Sequence, residues 1–184
     1  MEVGKNIGNL MIHGAPEGHV MVFGGEIAAQ AFFRLNQAQG IAVDSHRNWG
    51  IVDTISGGVS LSPGVSAGGF VMIVEAPSIF YLDGFSVEFG FSIDAPLGVF
   101  GGFPVEIGAG REITVLIDGE ERFRGSIYTF GVGVGTGGVD IFGQGSYTVL
   151  TYGYAVIPRV IIGPPFAQIQ SVFEWANNLF SNDN

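Results

Sequence analysis

Between Phe85 and Asp94 the chain alternates strictly between large apolar residues and small or acidic ones. One set is Phe85, Val87, Phe89, Phe91 and Ile93, and the other is Ser86, Glu88, Gly90, Ser92 and Asp94. A period of two is typical of a β-strand whose two faces meet different surroundings. The pattern recurs in 59–68 and 128–135, with glycine and serine on one face. It therefore predicts a sheet with one apolar face and one crowded, partly polar face.

The length of 184 residues predicts a single domain over residues 1–184, large enough to bury a core. Glycine occurs 31 times and phenylalanine 16 times, with no collagen-like triplet repeat. Glycine suits tight turns and crowded faces, and aromatic residues suit pleated surfaces, so this composition favours an all-β protein.

We predict an antiparallel β-barrel of about eight to ten strands within residues 27–157. The small-residue faces favour a barrel over a sandwich, because a small closed barrel crowds its interior. Turns are predicted at 46–48 and at Asp118-Gly119. The segment Ile27–Gln37 is interpreted as a strand, with a helix as the alternative, and Leu97–Ile107 as a strand that is bent or ends near Pro104.

The end of the chain carries a different pattern. Residues 164–181 begin with two prolines and have apolar residues at helical spacing, which predicts an amphipathic C-terminal helix. Its contact face would consist of Phe166, Ile169, Phe173 and Phe180. We expect this helix to pack on the barrel as a lid, and a helix that binds a membrane or a partner protein is the alternative.

The charge and the absence of cysteine exclude several functions. The formal net charge is -10 and the pI is near 4.5, which argues against nucleic-acid binding. With no cysteine there is no disulfide and no thiol chemistry. No Sec-type signal peptide is visible, so secretion would require another route. No apolar run reaches the length of a transmembrane helix, but a barrel strand crosses a bilayer with only about 9–11 residues.

The motifs that could carry chemistry have the wrong context. Gly133, Gly135 and Gly138 match a dinucleotide-binding pattern by letter, but they continue a strand and open no helix. Asp44-Ser45-His46 cannot form a catalytic triad, because consecutive strand residues point to opposite faces. Four residues near the N-terminus lack a recognised zinc spacing: His13, Glu17, His19 and Glu26. The sequence thus predicts no catalytic residue, no metal site and no cofactor.

Two sets of residues remain as candidates for a function. The small-residue face carries acids that would form a polar lumen or, alternatively, a solvated sheet face: Glu88, Asp94, Glu106 and Asp140. The opposite face is apolar: Val87, Phe89, Phe91, Val132 and Val134. Aromatic residues would form a membrane-interface girdle or cross-strand pairs: Trp49, Tyr147, Tyr152 and Tyr154.

Three segments in order resemble a Gly-rich β-module of bacterial Rhs-type and other polymorphic-toxin proteins. They are IAVDSHRNWGIV (41–52), VEAPSIFYLDGFSVEFG (74–90) and YTFGVGVGTGGVDIFGQGSYT (128–148). Glu75 departs from the family pattern, which has asparagine there. The resemblance implies a module that lies beside toxin cores, and it brings no catalytic residues.

Three functions follow as hypotheses. The first is a non-enzymatic, membrane-active or pore-type barrel associated with a toxin, and it requires the apolar face to point outward. The second is a soluble barrel that binds a hydrophobic small molecule inside, with the apolar face turned inward. The third is a structural subunit that assembles into homo-oligomers through exposed edges or apolar faces.

Overall fold

The computed structural model describes residues 13–100, 102–135 and 138–152. These residues form an antiparallel, eight-stranded closed barrel, which confirms the predicted fold class. The predicted C-terminal helix lies outside the described residues. The strands are β1 (Val20–Gln30), β2 (Phe33–Asp44), β3 (Trp49–Ser60), β4 (Gly64–Val74), β5 (Gly84–Phe100), β6 (Phe103–Asp118), β7 (Glu121–Gly135) and β8 (Gly138–Thr151), and the short 3-10 helix η1 (Ile79–Leu82) lies between β4 and β5.

Two of the predicted turns are confirmed, and two segments fold differently from the prediction. Residues 45–48 connect β2 to β3, with Arg47 at φ 67°, and Gly119, at φ 56°, lies in the turn between β6 and β7. Ile27–Gln37 is a hairpin rather than one strand, because the chain reverses between Gln30 and Phe33. Leu97–Ile107 is also a hairpin, with Gly102 at φ 87° in its turn. Ala31-Phe32 has no Asn-Gly, Asp-Gly or Gly-Gly signal of a hairpin, whereas Gly101-Gly102 is such a signal that the prediction overlooked.

The barrel consists of two Greek keys of the same topology. Around the barrel the strand order is β1-β2-β3-β8-β5-β6-β7-β4. Strands β4-β1-β2-β3 form one Greek key and β8-β5-β6-β7 form the other, each with its last strand beside its first. The two halves meet where β3 pairs with β8 and where β4 pairs with β7.

The two ends of the barrel have different surroundings. We call one end the base: it carries the turns 45–48 and 119–120 and the connection 75–83 that contains η1. The other end, the mouth, carries the turn 31–32, the connection 61–63 and the turn between β5 and β6. The β5–β6 hairpin extends past the mouth, because β5 pairs with β8 only as far as Asp94.

An apolar core fills the base. Ile79 and Leu82 of η1 are fully buried and close this end of the barrel, so we call η1 the plug. The buried cluster comprises Val20, Val22, Ala42, Val52, Phe70, Val74, Ala76, Ile79, Leu82, Leu116 and Ile127. Burying this much apolar surface in one place provides the main stabilisation of the fold, and it leaves the mouth half of the interior for polar side chains.

Candidate functional site

The mouth half of the barrel interior is lined by polar and charged side chains. Even-numbered residues of β1, β2 and β8, of β5 as far as Asp94 and of β6 from Glu106 point inward, and the set includes all four acids predicted for a lumen. The inward polar residues with charged or amide side chains are Glu26, Gln30, Arg34, Asn36, Glu88, Asp94, Glu106, Glu112, Asp140 and Gln144. The mouth half of the interior is therefore polar and charged, in contrast to the apolar base.

Arg34 is the one inward cation among residues 13–100, 102–135 and 138–152. Its Nη1 donates a hydrogen bond of 3.1 Å to Gln30, and its Nη2 lies 4.0 Å from Glu112 Oε1. The guanidinium also lies 3.8 Å from the centroid of the Phe142 ring, which fits a cation–π contact. Arg34 thus links β2 to β6 and β8 through the centre of the barrel.

Amide side chains connect the carboxyl groups around Arg34. Gln144 Nε2 donates to Glu88 Oε2 at 2.6 Å and to Glu112 Oε2 at 3.4 Å. Asn36 Nδ2 donates to Glu26 Oε2 at 3.0 Å. These contacts join β1, β2, β5, β6 and β8 in one network, so the polar side chains have a structural role as cross-links between strands.

Hydroxyl pairs continue this cross-linking along one junction of the two Greek keys. Ser146 Oγ donates to Ser56 Oγ at 2.9 Å, and Thr54 and Thr148 share a hydrogen bond of 2.9 Å between their hydroxyl oxygens. Each pair joins β3 to β8 on the inner face. This junction is therefore held by side chains as well as by the backbone ladder.

Asp140 holds the connection that crosses the mouth. Its Oδ1 accepts the backbone N–H groups of Leu61 and Ser62, both at 3.0 Å, and its Oδ2 accepts the Ser60 hydroxyl at 2.8 Å. Gln30 Nε2 donates to the same Oδ2 at 3.1 Å. Asp140 is fully buried. One carboxylate thus ties the β3–β4 connection down over the barrel interior.

The interior leaves little free space. A cavity of about 70 Å³ lies at the mouth, with Arg34, Asp94 and Glu106 among its lining residues. A second cavity of about 40 Å³ lies deeper, between the polar network and the apolar core. These volumes are small beside the hundreds of cubic ångströms typical of a ligand pocket, and the plug η1 closes the base below them.

A second carboxylate organises the base. Asp44, at the base end of β2, accepts hydrogen bonds from Asn48, from the Ser78 hydroxyl and from the Ile79 backbone N–H. Burial raises the pKa of Asp44, but the hydrogen bonds from Asn48, Ile79 and Ser78 together outweigh it and leave the pKa below its usual value. Asp44 therefore fixes η1 and the β2–β3 turn together as an anion.

The outer wall of the barrel is apolar. The five residues of the predicted apolar face, on β5 and β7, all lie on this wall, and Phe89 is 64% exposed. Exposed large apolar residues occur on seven of the eight strands. On the strands they are Phe33, Leu35, Trp49, Ile55, Val59, Val65, Phe85, Phe89, Phe91, Ile93, Leu97, Val99, Ile107, Ile113, Tyr128, Phe130, Val134, Val139, Ile141, Tyr147 and Val149. The usual distribution of apolar and polar residues is thus inverted in the mouth half.

Few polar groups interrupt this wall. Gln39 Nε2 donates to Asp53 Oδ1 at 2.6 Å, across the β2–β3 pair. The Arg111 guanidinium lies 5.6 Å from the centroid of the Tyr128 ring. Each contact gives a polar group on the outer wall a partner, so that this group is not left unpaired at the surface.

The remaining candidates are not brought together into a site. In the part of the chain that the structure describes, no group of three or more possible metal ligands occurs. Gly133 and Gly135 lie on β7 and Gly138 begins β8, so the glycine motif belongs to strands. Trp49, Tyr147 and Tyr152 are exposed towards the base. Tyr154 and the predicted helix contacts Phe166, Ile169, Phe173 and Phe180 lie outside the described residues.

Sequence reasoning missed the centre of the polar network, which consists of Glu26, Arg34, Glu112 and Gln144. Glu112 could have been found, because 112–117 alternates in the same way as 85–94. Arg34 could not have been found, because the face of the sheet on which it lies depends on the turn between Gln30 and Phe33, which was not predicted.

Comparison with known proteins gives no relative. Neither a protein-family model, nor a curated protein, nor a solved structure matches the chain. Among the described residues, no helix has both the length and the hydropathy needed to cross a bilayer.

Proposed function

We propose that this protein is a non-enzymatic barrel that inserts into a lipid bilayer and presents its outer wall to the acyl chains. The observation that carries the proposal is the inverted distribution of side chains, with carboxyl, amide and guanidinium groups inside and phenyl and aliphatic groups outside. A lipid-facing barrel has this arrangement, since its outer surface meets hydrocarbon and its interior does not.

The size of the apolar surface supports this proposal. Soluble monomers rarely expose a contiguous apolar patch larger than a few hundred square ångströms. The outer wall of this barrel carries exposed apolar side chains around most of its circumference. Its shortest strands, β1 and β4, have 11 residues each, which matches the roughly 9–11 residues of a tilted strand that crosses a bilayer.

The filled interior favours insertion without an open channel. The Arg34 network occupies the mouth half and the apolar plug η1 occupies the base. The two cavities are small, at about 70 and 40 Å³, and Glu26 lines both of them. We therefore infer that the barrel acts as a membrane-embedded body, and that the toxin-associated role implied by the sequence resemblance would not depend on ion flow through it.

Self-assembly is the second candidate, because the same outer wall could pack against other copies of the chain. The pair Gln39–Asp53 favours it, since a buried protein interface tolerates a hydrogen-bonded polar pair more readily than hydrocarbon does. Binding of a hydrophobic molecule inside the barrel has less support, because the mouth half of the interior is polar.

The test is flotation with vesicles. Protein added to vesicles of phosphatidylcholine and phosphatidylethanolamine should rise with the lipid in a density gradient, and a vesicle-entrapped fluorescent dye should not leak. Phe89→Asp, on the outer wall, should reduce flotation several-fold because a carboxylate is costly in hydrocarbon. Phe80→Asp is the matched control, since Phe80 is 52% exposed but lies in η1 at the base.

The outcomes separate the two candidates. Protein that stays at the bottom of the gradient as a monomer would refute both. A stable oligomer in water that does not float would support self-assembly against insertion. Equal loss of flotation in both variants would show that the outer wall has no special role.

A further inference from the structure

The outward-facing charges of the barrel are distributed unevenly along its axis. The base carries many of them, including Asp118, Glu120 and Arg122 around the β6–β7 turn and Asp83 before β5. The turn 45–48 adds Arg47. The base also exposes Phe80, but its turns carry the charges of an end that faces water.

The mouth has no such charges in the part of the chain that the structure describes. Its turns expose apolar side chains instead: Phe32 is 82% exposed, Leu61 is 75% exposed and Val99, on the projecting hairpin, is 74% exposed. The connecting residues 101 and 136–137 are glycine and threonine by sequence. The mouth therefore continues the apolar outer wall over the end of the barrel.

The charged residues of the outer wall lie near mid-height or towards the base. Arg111 is opposite Phe91 and Tyr128 in the strand ladders, near mid-height, and Asp53 lies nearer the base. From these two residues to the mouth, every outward-facing residue described on the eight strands is uncharged. Towards the base, Trp49, Tyr147 and Tyr152 are exposed, and tryptophan and tyrosine are the residues typical of a membrane–water interface.

We propose that the barrel enters the bilayer mouth first and keeps its base in the water on the side from which it binds. This inference rests on the proposed function and adds a direction to it. A charged turn that crosses hydrocarbon must lose its hydration, whereas an uncharged turn with exposed phenyl groups gains from the transfer. The mouth can therefore enter the bilayer at low cost, and the base cannot.

The carboxyl groups inside the mouth do not oppose this direction. Asp140 is fully buried and its two oxygens accept four hydrogen bonds. Glu106 is 8% exposed and lines the mouth cavity with Arg34. Both groups point into the barrel rather than towards the acyl chains, and burial raises the pKa of Asp94, which lines the same cavity and is half-buried.

The absence of cysteine makes the direction measurable with single-cysteine variants. Phe32→Cys reports on the mouth and Glu120→Cys on the base, each labelled with a polarity-sensitive fluorophore. The labelled proteins are added to preformed phosphatidylcholine and phosphatidylethanolamine vesicles, and an impermeant aqueous quencher is then added outside. We expect a blue shift and a several-fold loss of quenching at position 32, and neither change at position 120. A second pair, Leu97→Cys and Asp118→Cys, covers the case in which one of the first variants does not fold.

Flotation of the labelled proteins distinguishes a wrong direction from a wrong function. If the proteins float and the label at position 120 is the protected one, or both labels are equally protected, the proposed direction is refuted and membrane insertion stands. If the proteins do not float and neither label changes, both the proposed function and the direction are refuted.

Discussion

Single residues show how an interior rich in carboxyl groups can be stable. Arg34 provides the positive charge that the surrounding acids share, and it is held by Gln30, Glu112 and the ring of Phe142. Burial raises the pKa of Glu112 to about 8 and also raises those of Glu26 and Glu88, while the nearby guanidinium of Arg34 lowers all three. The stability of the mouth half should therefore depend strongly on Arg34.

Arg34→Met tests this dependence. We expect it to lower the free energy of unfolding by about 1–3 kcal/mol, since it leaves the Gln30 side-chain oxygen without its donor and removes the cation beside Glu112. Arg111→Met is the matched control: Arg111 faces outward over Tyr128, and its replacement should cost less than about 1 kcal/mol. Urea unfolding followed by tryptophan fluorescence measures both, and equal values for the two variants would contradict the role of Arg34.

Glycine at the junction of β4 and β7 has a packing role that the sequence pattern alone did not reveal. A Cβ atom at Gly68 would lie against the carbonyl oxygen of Phe130 and close to the Cα of Gly131. Gly57, by contrast, faces outward, and a Cβ there would meet only a Leu35 methyl at 3.9 Å. The two glycines thus have the same chemistry but different surroundings.

Gly68→Ala should therefore lower the free energy of unfolding by about 1–3 kcal/mol through overpacking. Gly57→Ala should be neutral or should stabilise by about 0.5–1 kcal/mol, because alanine loses less conformational freedom on folding. The midpoints of urea unfolding compare the two variants, and a Gly68→Ala protein as stable as the wild type would contradict the close approach of β4 and β7.

Two connections between elements are each held by one carboxylate. Asp140 accepts the backbone N–H groups of Leu61 and Ser62 at the mouth, and Asp44 accepts that of Ile79 at the base. A connection of three residues that crosses the end of a barrel cannot form ladder hydrogen bonds, so its N–H groups need another acceptor. The buried carboxylates fill this need.

Asp140→Ala should release the β3–β4 connection. The amides of Leu61 and Ser62 lose their acceptor, and we expect a loss of about 1.5–3 kcal/mol for hydrogen bonds to a charged group. Hydrogen exchange should show faster exchange in 60–63 with the β5–β6 ladder unchanged. Asp53→Ala, which removes an outward carboxylate, is the control and should leave exchange in 60–63 as it is in the wild type.

The base should respond to acid through Asp44. Its pKa in the folded protein is lowered from the usual value of 3.8, so the carboxylate stabilises the fold above that value. The contribution is lost as the pH falls through the folded pKa, where the carboxylate becomes protonated. Asp44→Asn should therefore lose stability at neutral pH but show a smaller further loss in acid than the wild type. Parallel pH dependence of urea unfolding in the two proteins would contradict this assignment.

A strand or turn can be predicted from the sequence when its structure depends on neighbouring residues alone. The alternation in 85–94 reports directly on the two faces of β5, because the period of a strand is local. The turn between Gln30 and Phe33 could not be predicted in this way, since Ala31-Phe32 has no turn signal. Closure of the barrel imposes this turn. The network around Arg34 depends on that register, so its members could not be assembled from the sequence.

At the scale of the whole molecule, the sequence did not determine which face of the sheet lies inside the barrel. Alternation shows that two faces differ, but not which one lies inside a closed barrel. The structure places phenyl groups such as Phe89 and Phe91 outside and Glu88 inside. The membrane proposal and its direction of insertion both derive from this arrangement, and flotation and site-specific labelling test them.

The paired Greek keys have a consequence for how the chain could be divided. The connection 75–83 is the covalent link between the half β1–β4 and the half β5–β8. In each half, the two central strands pair only with strands of the same half. The halves then meet along β3–β8, with its paired hydroxyl groups, and along β4–β7, where Gly68 is opposite Gly131. Two polypeptides produced separately, divided at Glu75, should therefore reassemble into one barrel, and each fragment alone should aggregate through its two open edge strands.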